Sequence, residues 1–386
     1  MLYYKQRSEV RNVMQDLVLL SKDVPIANIV DGMLMPILPE RLPLFLQRTA
    51  DVEAWLSSRA IDSSRVNSRL LKKALRLDKK DDISTVLSVG AATITDNYWV
   101  KAAEDTTTSY ADIRFTINRF DNLALTGDVN SFDQPFSRTP ELTNTGSFEK
   151  CWRFIDGKWW MVKAGKPEEL FSELFIYKLG KLMGFPMAEY LPEGNFIRSC
   201  DFTDGGAVDF EPAASVIGDT SDYIRIYEML KPYGKDVCAL YVRQCYLDAL
   251  FFNMDRHEHN FGLLRSSETG TVLGLAPFFD HNIALVSRGY PQNFKAENDR
   301  LITDFVALLA HTGVPIPIRK ITRQEMVQCM SKIPWTLPAT KEVPEPKQFV
   351  LDYILNRQTQ LEERCGNMLS LLENYKARSR DKGLER

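Results

Sequence analysis

The sharpest change in the pattern of apolar and polar positions lies around Asp156-Gly157. Aromatic and β-branched runs flank it, Cys151 to Ile155 before and Lys158 to Lys163 after. Asp-Gly supplies the two positive-φ positions of a tight primed turn, so a β-hairpin ending at Lys163 is predicted. The period then changes. Leu174, Tyr177, Leu179 and Leu182 form an apolar stripe, which predicts a helix over Pro167 to Met183. Pro167 suits a first helical turn, Glu168 and Glu169 suit its positive end, and Gly184 and Pro186 close it. Tyr190 to Phe202 reads as a strand with a connecting segment. From about Ser221 the chain reads largely helical, most clearly over Ala239 to Met254. Phe261 to Leu264 and Val272 to Leu275 then read as two short strands around a turn. Upstream, the stretch to about residue 95 reads mainly as short helices broken at Pro36, Pro39 and Pro43. From Thr93 to about Thr145 the residues are rich in Asp, Asn, Ser and Thr and read as loops. A β-containing part thus precedes a helical part, which makes the fold class α+β.

Composition changes this picture little. The chain has 386 residues, 44% of them apolar and 26% charged, which suits two or three globular folding units. The net charge of −3 calls for neither a nucleic acid nor a membrane surface as partner. The basic run Arg69 to Lys80 reads as a solvated helix face. Cys151, Cys200, Cys238, Cys245, Cys329 and Cys365 are scattered without metal-ligand spacing and read as reduced and structural. No signal-peptide pattern or membrane-length apolar run occurs, so the expected location is cytoplasmic.

The chemistry concentrates in Asn253-Met254-Asp255-Arg256-His257-Glu258-His259-Asn260, directly after the Ala239–Met254 helix, and in Phe279-Asp280 twenty residues beyond Asn260. This spacing suits phosphoryl transfer. Asp255 can orient an attacking hydroxyl and accept its proton, Asn260 offers an amide oxygen to Mg²⁺, and a hairpin returns Asp280 as the second metal ligand. Lys163, at the end of the predicted hairpin, can reach nucleotide phosphates, with Glu173 on the following helix as its ion-pair partner and Glu169 as the alternative. Before the hairpin, Thr143-Asn144-Thr145-Gly146-Ser147-Phe148-Glu149-Lys150 can cover phosphates with backbone N–H groups. His257 and His259, two residues apart in a loop without a third ligand, do not read as a zinc site. His257 reads as orienting the loop.

Taken in order, Gly146-Ser147-Phe148-Glu149-Lys150, Lys163, Glu173, Asp255 to Asn260 and Phe279-Asp280 resemble the HipA-like kinase family. Arg198 to Thr203, Phe210 to Ala213, Trp55 to Arg65 and Thr95 to Trp99 are also similar to HipA-related proteins of Gram-positive bacteria. The resemblance implies a two-lobed protein-kinase-like fold. Its mixed N-lobe would span 96–198 and its helical C-lobe 199–386, after a mainly helical N-terminal region, 1–95. It implies ATP and Mg²⁺ as cofactors, Asp255 as catalytic base with Lys163 and Glu173, and Asn260 and Asp280 as metal ligands. Thr145, Gly146, Ser147, Phe148, Lys163 and His257 would then contact the nucleotide. The family activity is Ser/Thr protein phosphorylation, often by the toxin of a toxin–antitoxin pair. A protein substrate and an antitoxin-like partner are therefore the expected partners, with nucleic acid contacted only indirectly. Autophosphorylation of the phosphate loop is a family theme, which makes Thr143, Thr145 and Ser147 candidate acceptors. The order Asp255-Arg256-His257 replaces His-Arg-Asp, an arrangement shared with phosphoinositide kinases. A small-molecule or lipid kinase, and a regulatory, DNA-associated pseudokinase, therefore stay open as alternatives.

Overall fold

The computed structural model describes residues 16–135, 137–291, 299–313 and 316–371. The chain divides into two compact units. One holds the chain up to Ala164, Glu193–Gly218 and Gly262–Leu273; the other holds Gly165–Pro192, Asp219–Phe261 and the chain from Gly274 onward.

The first unit opens with strands β1 (Leu17–Ser21), β2 (Val24–Val30) and β3 (Met33–Pro36), each antiparallel to the next. β4 (Tyr98–Ala102) pairs antiparallel with the other side of β1, giving the order β3-β2-β1-β4. The reading of the first 95 residues as mainly short helices missed β1 to β3, and the reading of 93–145 as loops and irregular segments missed β4. Short helices do occupy Pro39 to Leu87, but strands occupy Leu17 to Pro36. The prolines are compatible with the sheet. Pro36 lies on its edge strand, and Pro25 sits where the β1–β2 register shifts.

Leu19, Ile26, Ala27 and Ile29 pack from this sheet onto Leu46, Trp55, Leu56 and Val86. A neighbouring cluster joins Leu20 and Trp99 to Leu71, Phe120 and Leu142, and to Trp152 and Trp159 of the hairpin. The N-terminal segment and the hairpin therefore share a core. The hairpin forms as predicted, from β5 (Lys150–Ile155) and β6 (Lys158–Lys163), with Asp156 at φ 50° and Gly157 at φ 79°. The chain returns from the second unit through β7 (Tyr190–Glu193), and β8 (Phe196–Cys200) pairs antiparallel with β6. β6 is thus an interior strand. β9 (Val208–Pro212) pairs antiparallel with β10 (Gly262–Ser266). A Cβ at Gly262 would collide with the Glu211 carbonyl, so only glycine permits this approach.

Buried polar groups tie these strands together. Arg265 donates to Glu211, to the Tyr98 hydroxyl (3.0 Å) and to Leu42 O (2.9 Å). Asp209 Oδ1 accepts from the backbone N–H of Asn97 (2.9 Å) and from its Nδ2 (2.6 Å). Its Oδ2 is buried with no hydrogen-bond partner among the described residues. Burial, reinforced by the Asp96 carboxylate, pushes the Asp209 carboxyl up to about 7. A carboxyl raised in the folded state binds its proton there more tightly than in the unfolded chain. Its contribution is therefore most favourable near pH 4 and is lost as pH rises to about 7, by at most about 1.4 kcal/mol per pH unit. Asp209→Asn should flatten the fall of Tm between pH 5 and 7 in scanning calorimetry. Parallel curves for the two proteins would contradict this.

The second unit is mainly helical. Helix Pro167–Leu182 matches its prediction to within a residue, and Lys235–Phe251 begins and ends slightly earlier than expected. The latter is the central helix, packed by Tyr223–Leu230, Arg300–Thr312 and Pro346–Cys365. Phe185, Tyr246, Phe278 and Phe305 form a chain of ring contacts in this core. All six cysteines are free thiols. Among the described residues no helix is long and apolar enough to cross a membrane.

Candidate active site

The central helix Lys235–Phe251 ends where Phe252 turns left-handed, at φ 52°, with its N–H on Asp248 O. The following loop is built on Asp248, a fully buried carboxylate. Asp248 Oδ1 accepts from Asn253 Nδ2 (2.7 Å), and Asn253 Oδ1 in turn accepts from Asp255 N (3.3 Å). Arg256 makes a bidentate pair with Asp248, at 2.8 and 3.0 Å. The same guanidinium reaches two backbone carbonyls, Asn260 O and, at 2.9 Å, Phe279 O. One arginine therefore holds the loop carrying Asn260 against the loop carrying Asp280. Met254 N–H on Ile283 O (3.1 Å) and Leu285 N–H on Phe251 O (2.9 Å) lace the two loops again.

Asp255 and Asn260 are coupled within their loop. Asn260 Nδ2 donates to Asp255 O at 2.8 Å. Because the amide nitrogen is committed, Oδ1 is the atom Asn260 offers to a cation. Burial holds the Asp255 carboxyl above its ordinary value; His257 opposes that shift and the Asp280 carboxylate adds to it. Asp255 and Asp280 are thus close enough for each charge to act on the other.

Asp280 occupies an unusual backbone state. Its φ of 60° is left-handed, a region that Asp tolerates better than most residues and that concentrates at functional sites. The state is held from both sides. Phe278 N–H donates to Pro186 O (2.7 Å), the Tyr190 hydroxyl accepts from Asp280 N (3.1 Å), and Glu173 Oε1 accepts from His281 N (3.4 Å). Glu173 is fully buried on helix Pro167–Leu182, one turn beyond Glu169. Glu169 has other work: its Oε2 caps Lys166 N (2.9 Å) and its Oε1 meets Arg288 (3.1 Å). His257 is exposed, and its Nδ1 accepts from His259 N (3.2 Å), a contact that shapes the loop.

Asp255, Asn260, Asp280, Glu173 and His257 therefore all lie in the second unit. The phosphate-loop candidates and Lys163 lie in the first. Lys163 closes β6, in register with Lys150 on β5 and Ile197 on β8. Thr145, Gly146 and Ser147 are exposed and Phe148 is half-buried. Gly146 has φ 93°, and a Cβ there would collide with Lys150 Nζ. Thr143 is buried, and its hydroxyl donates to Ala92 O at 2.7 Å, so its oxygen is poorly placed as a phosphate acceptor.

Asn260 and Asp280 supply oxygen donors of the kind Mg²⁺ takes when substrate phosphates complete its shell, and the residues present fit that ion. A bound Mg²⁺ would neutralise charge on nucleotide phosphates. Of the chain's own residues, Arg256 fixes the loop of Asn260 against that of Asp280. Neither Arg256 nor Asp248 stood out as a site residue in the sequence. The signal was present, since a helix carboxylate, an asparagine and an arginine precede or fall within the same short motif.

No family model matches the sequence, and no curated protein matches it. Solved structures do. HipA from Shewanella oneidensis MR-1, in a complex with HipB and operator DNA, is 13% identical, covers 91% of this chain and 98% of its own, and gives a TM-score of 0.57. The Helicobacter pylori proinflammatory kinase CtkA is 16% identical and covers 57% of this chain and 94% of its own, with a TM-score of 0.44. The first likeness runs through nearly the whole of both chains, and on it this protein has the two-lobed, mixed α/β fold of HipA.

Proposed function

We propose that this chain is a phosphotransferase that uses Mg²⁺ and ATP to phosphorylate Ser or Thr of a protein. The observation that supports the proposal is the buried Asp248–Arg256 pair, whose guanidinium also bonds Asn260 O and Phe279 O and so holds the loop of Asp255 and Asn260 against that of Asp280. In the proposed reaction Asp255 orients the acceptor hydroxyl and takes its proton as the γ-phosphoryl group is transferred. Asn260 and Asp280 hold the cation, while Lys163 and the Thr145–Phe148 loop contact the phosphates, with Glu173 in support. The domain scheme 1–95, 96–198 and 199–386 and a cytoplasmic location belong to the same reading. So does an antitoxin-like protein partner, suggested by the HipB complex of the Shewanella protein.

Calorimetric titration with ATP tests the first half of this reading. Binding should strengthen at least tenfold when Mg²⁺ is added, and Asn260→Ala with Asp280→Ala should erase that gain. ATP binding that ignores Mg²⁺ in the unmutated protein would overturn the metal assignment.

A further inference from the structure

Arg65 lies in the N-terminal stretch and follows no part of the phosphotransfer motif. Its side chain is fully buried, at 0% exposure, which for a guanidinium demands partners. Those partners are the two ends of the phosphate loop. Nη1 donates to Asn144 O at 3.1 Å, and Nη2 donates to Lys150 O at 2.6 Å. Nε faces Glu149 Oε2 at 3.7 Å. Glu149 Oε1 in turn accepts from Asn67 N at 3.1 Å, in the first turn of helix Val66–Ala74, where a carboxylate is favoured. Asn144 is fixed once more by Glu141, a buried carboxylate that accepts from Asn144 Nδ2 (2.9 Å) and Trp152 N (2.7 Å).

The loop is thus anchored at its entry and its exit by one planar fork, while Thr145, Gly146 and Ser147 between them stay exposed. We infer that Arg65 is a positioning residue for nucleotide binding: it clamps both ends of the 144–150 loop and so sets where the loop's backbone N–H groups point. The inference rests on the proposed phosphate-covering role of that loop. It makes the 58–66 connection of the N-terminal stretch part of the nucleotide machinery. Lysine cannot replace the clamp. A single ammonium lacks the fork that spans the carbonyls of Asn144 and Lys150.

Arg65→Lys and Arg65→Ala, each with cooperative unfolding verified, test this by two readouts. Hydrogen exchange should quicken at 144–150 and the first turn of Val66–Ala74, and stay unchanged at β1 to β4. The Kd for ATP should rise at least tenfold, and KM for ATP should rise more than kcat falls. Millimolar guanidinium should restore much of the affinity of Arg65→Ala. Should the alanine variant fail to fold, the lysine variant and Glu149→Gln carry the same readouts. Unchanged exchange at 144–150 in the folded variants would overturn the clamp. Quickened exchange with an unchanged Kd would overturn its role in binding. If the unmutated protein binds no nucleotide, the phosphotransferase reading fails, and the exchange data still decide whether the clamp exists.

Discussion

Asp255→Asn should slow phosphoryl transfer by roughly a hundredfold to ten-thousandfold, the usual worth of a positioned general base, with ATP affinity little changed. The split follows from geometry. Asp255 is held by its own loop, through Asn253 at its N–H and Asn260 at its carbonyl, so its carboxyl is left to act on an acceptor rather than to support the fold. Asparagine keeps the shape and loses the proton acceptor. The pH profile offers a second readout. Burial raises the Asp255 carboxyl, with Asp280 contributing, so the base stays protonated to a higher pH than an ordinary aspartate. The unmutated protein's rate should therefore climb with pH along an acid limb displaced upward from that of an ordinary aspartate. The residual rate of Asp255→Asn should lack that limb. An equal rate in both proteins would remove Asp255 from the mechanism.

The largest effect on stability is expected at Arg256. Both side chains of the Asp248–Arg256 pair are buried, at 0% and 3% exposure. Arg256→Met leaves the buried Asp248 carboxylate without its charged partner, with the Asn253 amide as its remaining donor, and takes the side-chain donor from two carbonyls. Removing one partner of such a pair costs about 3–5 kcal/mol, so chemical denaturation should show a loss of that order. Arg256→Lys keeps the charge but cannot span Asp248, Asn260 O and Phe279 O together. It should fold with a smaller loss and need several-fold more Mg²⁺ for half-maximal rate. A lysine variant with unchanged Mg²⁺ dependence would show that the ligand-bearing loops are spaced by other contacts.

The sequence carried the local parts of this architecture better than the long-range ones. Asp156-Gly157 between aromatic runs gave the hairpin, because a turn type is written in adjacent residues. The same signal stands at Asp31-Gly32, between β2 and β3, where φ is 51° and 77°. There Pro36 masked it, since it read as a break when it is an edge-strand position. The β1–β2 turn uses Lys22 at φ 53°, a residue type that gives no turn signal. β4 was read as loop because its partner β1 lies far back in the chain, and pairing of that kind leaves no local trace.

The candidate site shows the same division. Asp255, Asn260 and Asp280 fall into a compact motif whose residue types match one chemistry. What holds them is less visible. Arg256 looks like one more basic residue until Asp248 is seen beneath it, and Tyr190 meets Asp280 N only through tertiary packing. Arg65 reaches the phosphate loop across a sequence separation of 79 to 85 residues. Glu169 and Glu173 stood as alternatives at the sequence level. The structure gives Glu169 to Arg288 and to the helix cap, and Glu173 to His281 N, beside Asp280.

The most direct test is transfer of γ-labelled phosphate from ATP with Mg²⁺, run beside Asp255→Ala of equal folded content, alone and with a cell lysate. The account predicts label on Ser or Thr of a protein, or on the chain itself, with the unmutated enzyme and none with the variant. Label found only on small molecules or lipids would contradict the protein acceptor, and no transfer to any acceptor despite ATP binding would contradict the phosphotransferase itself.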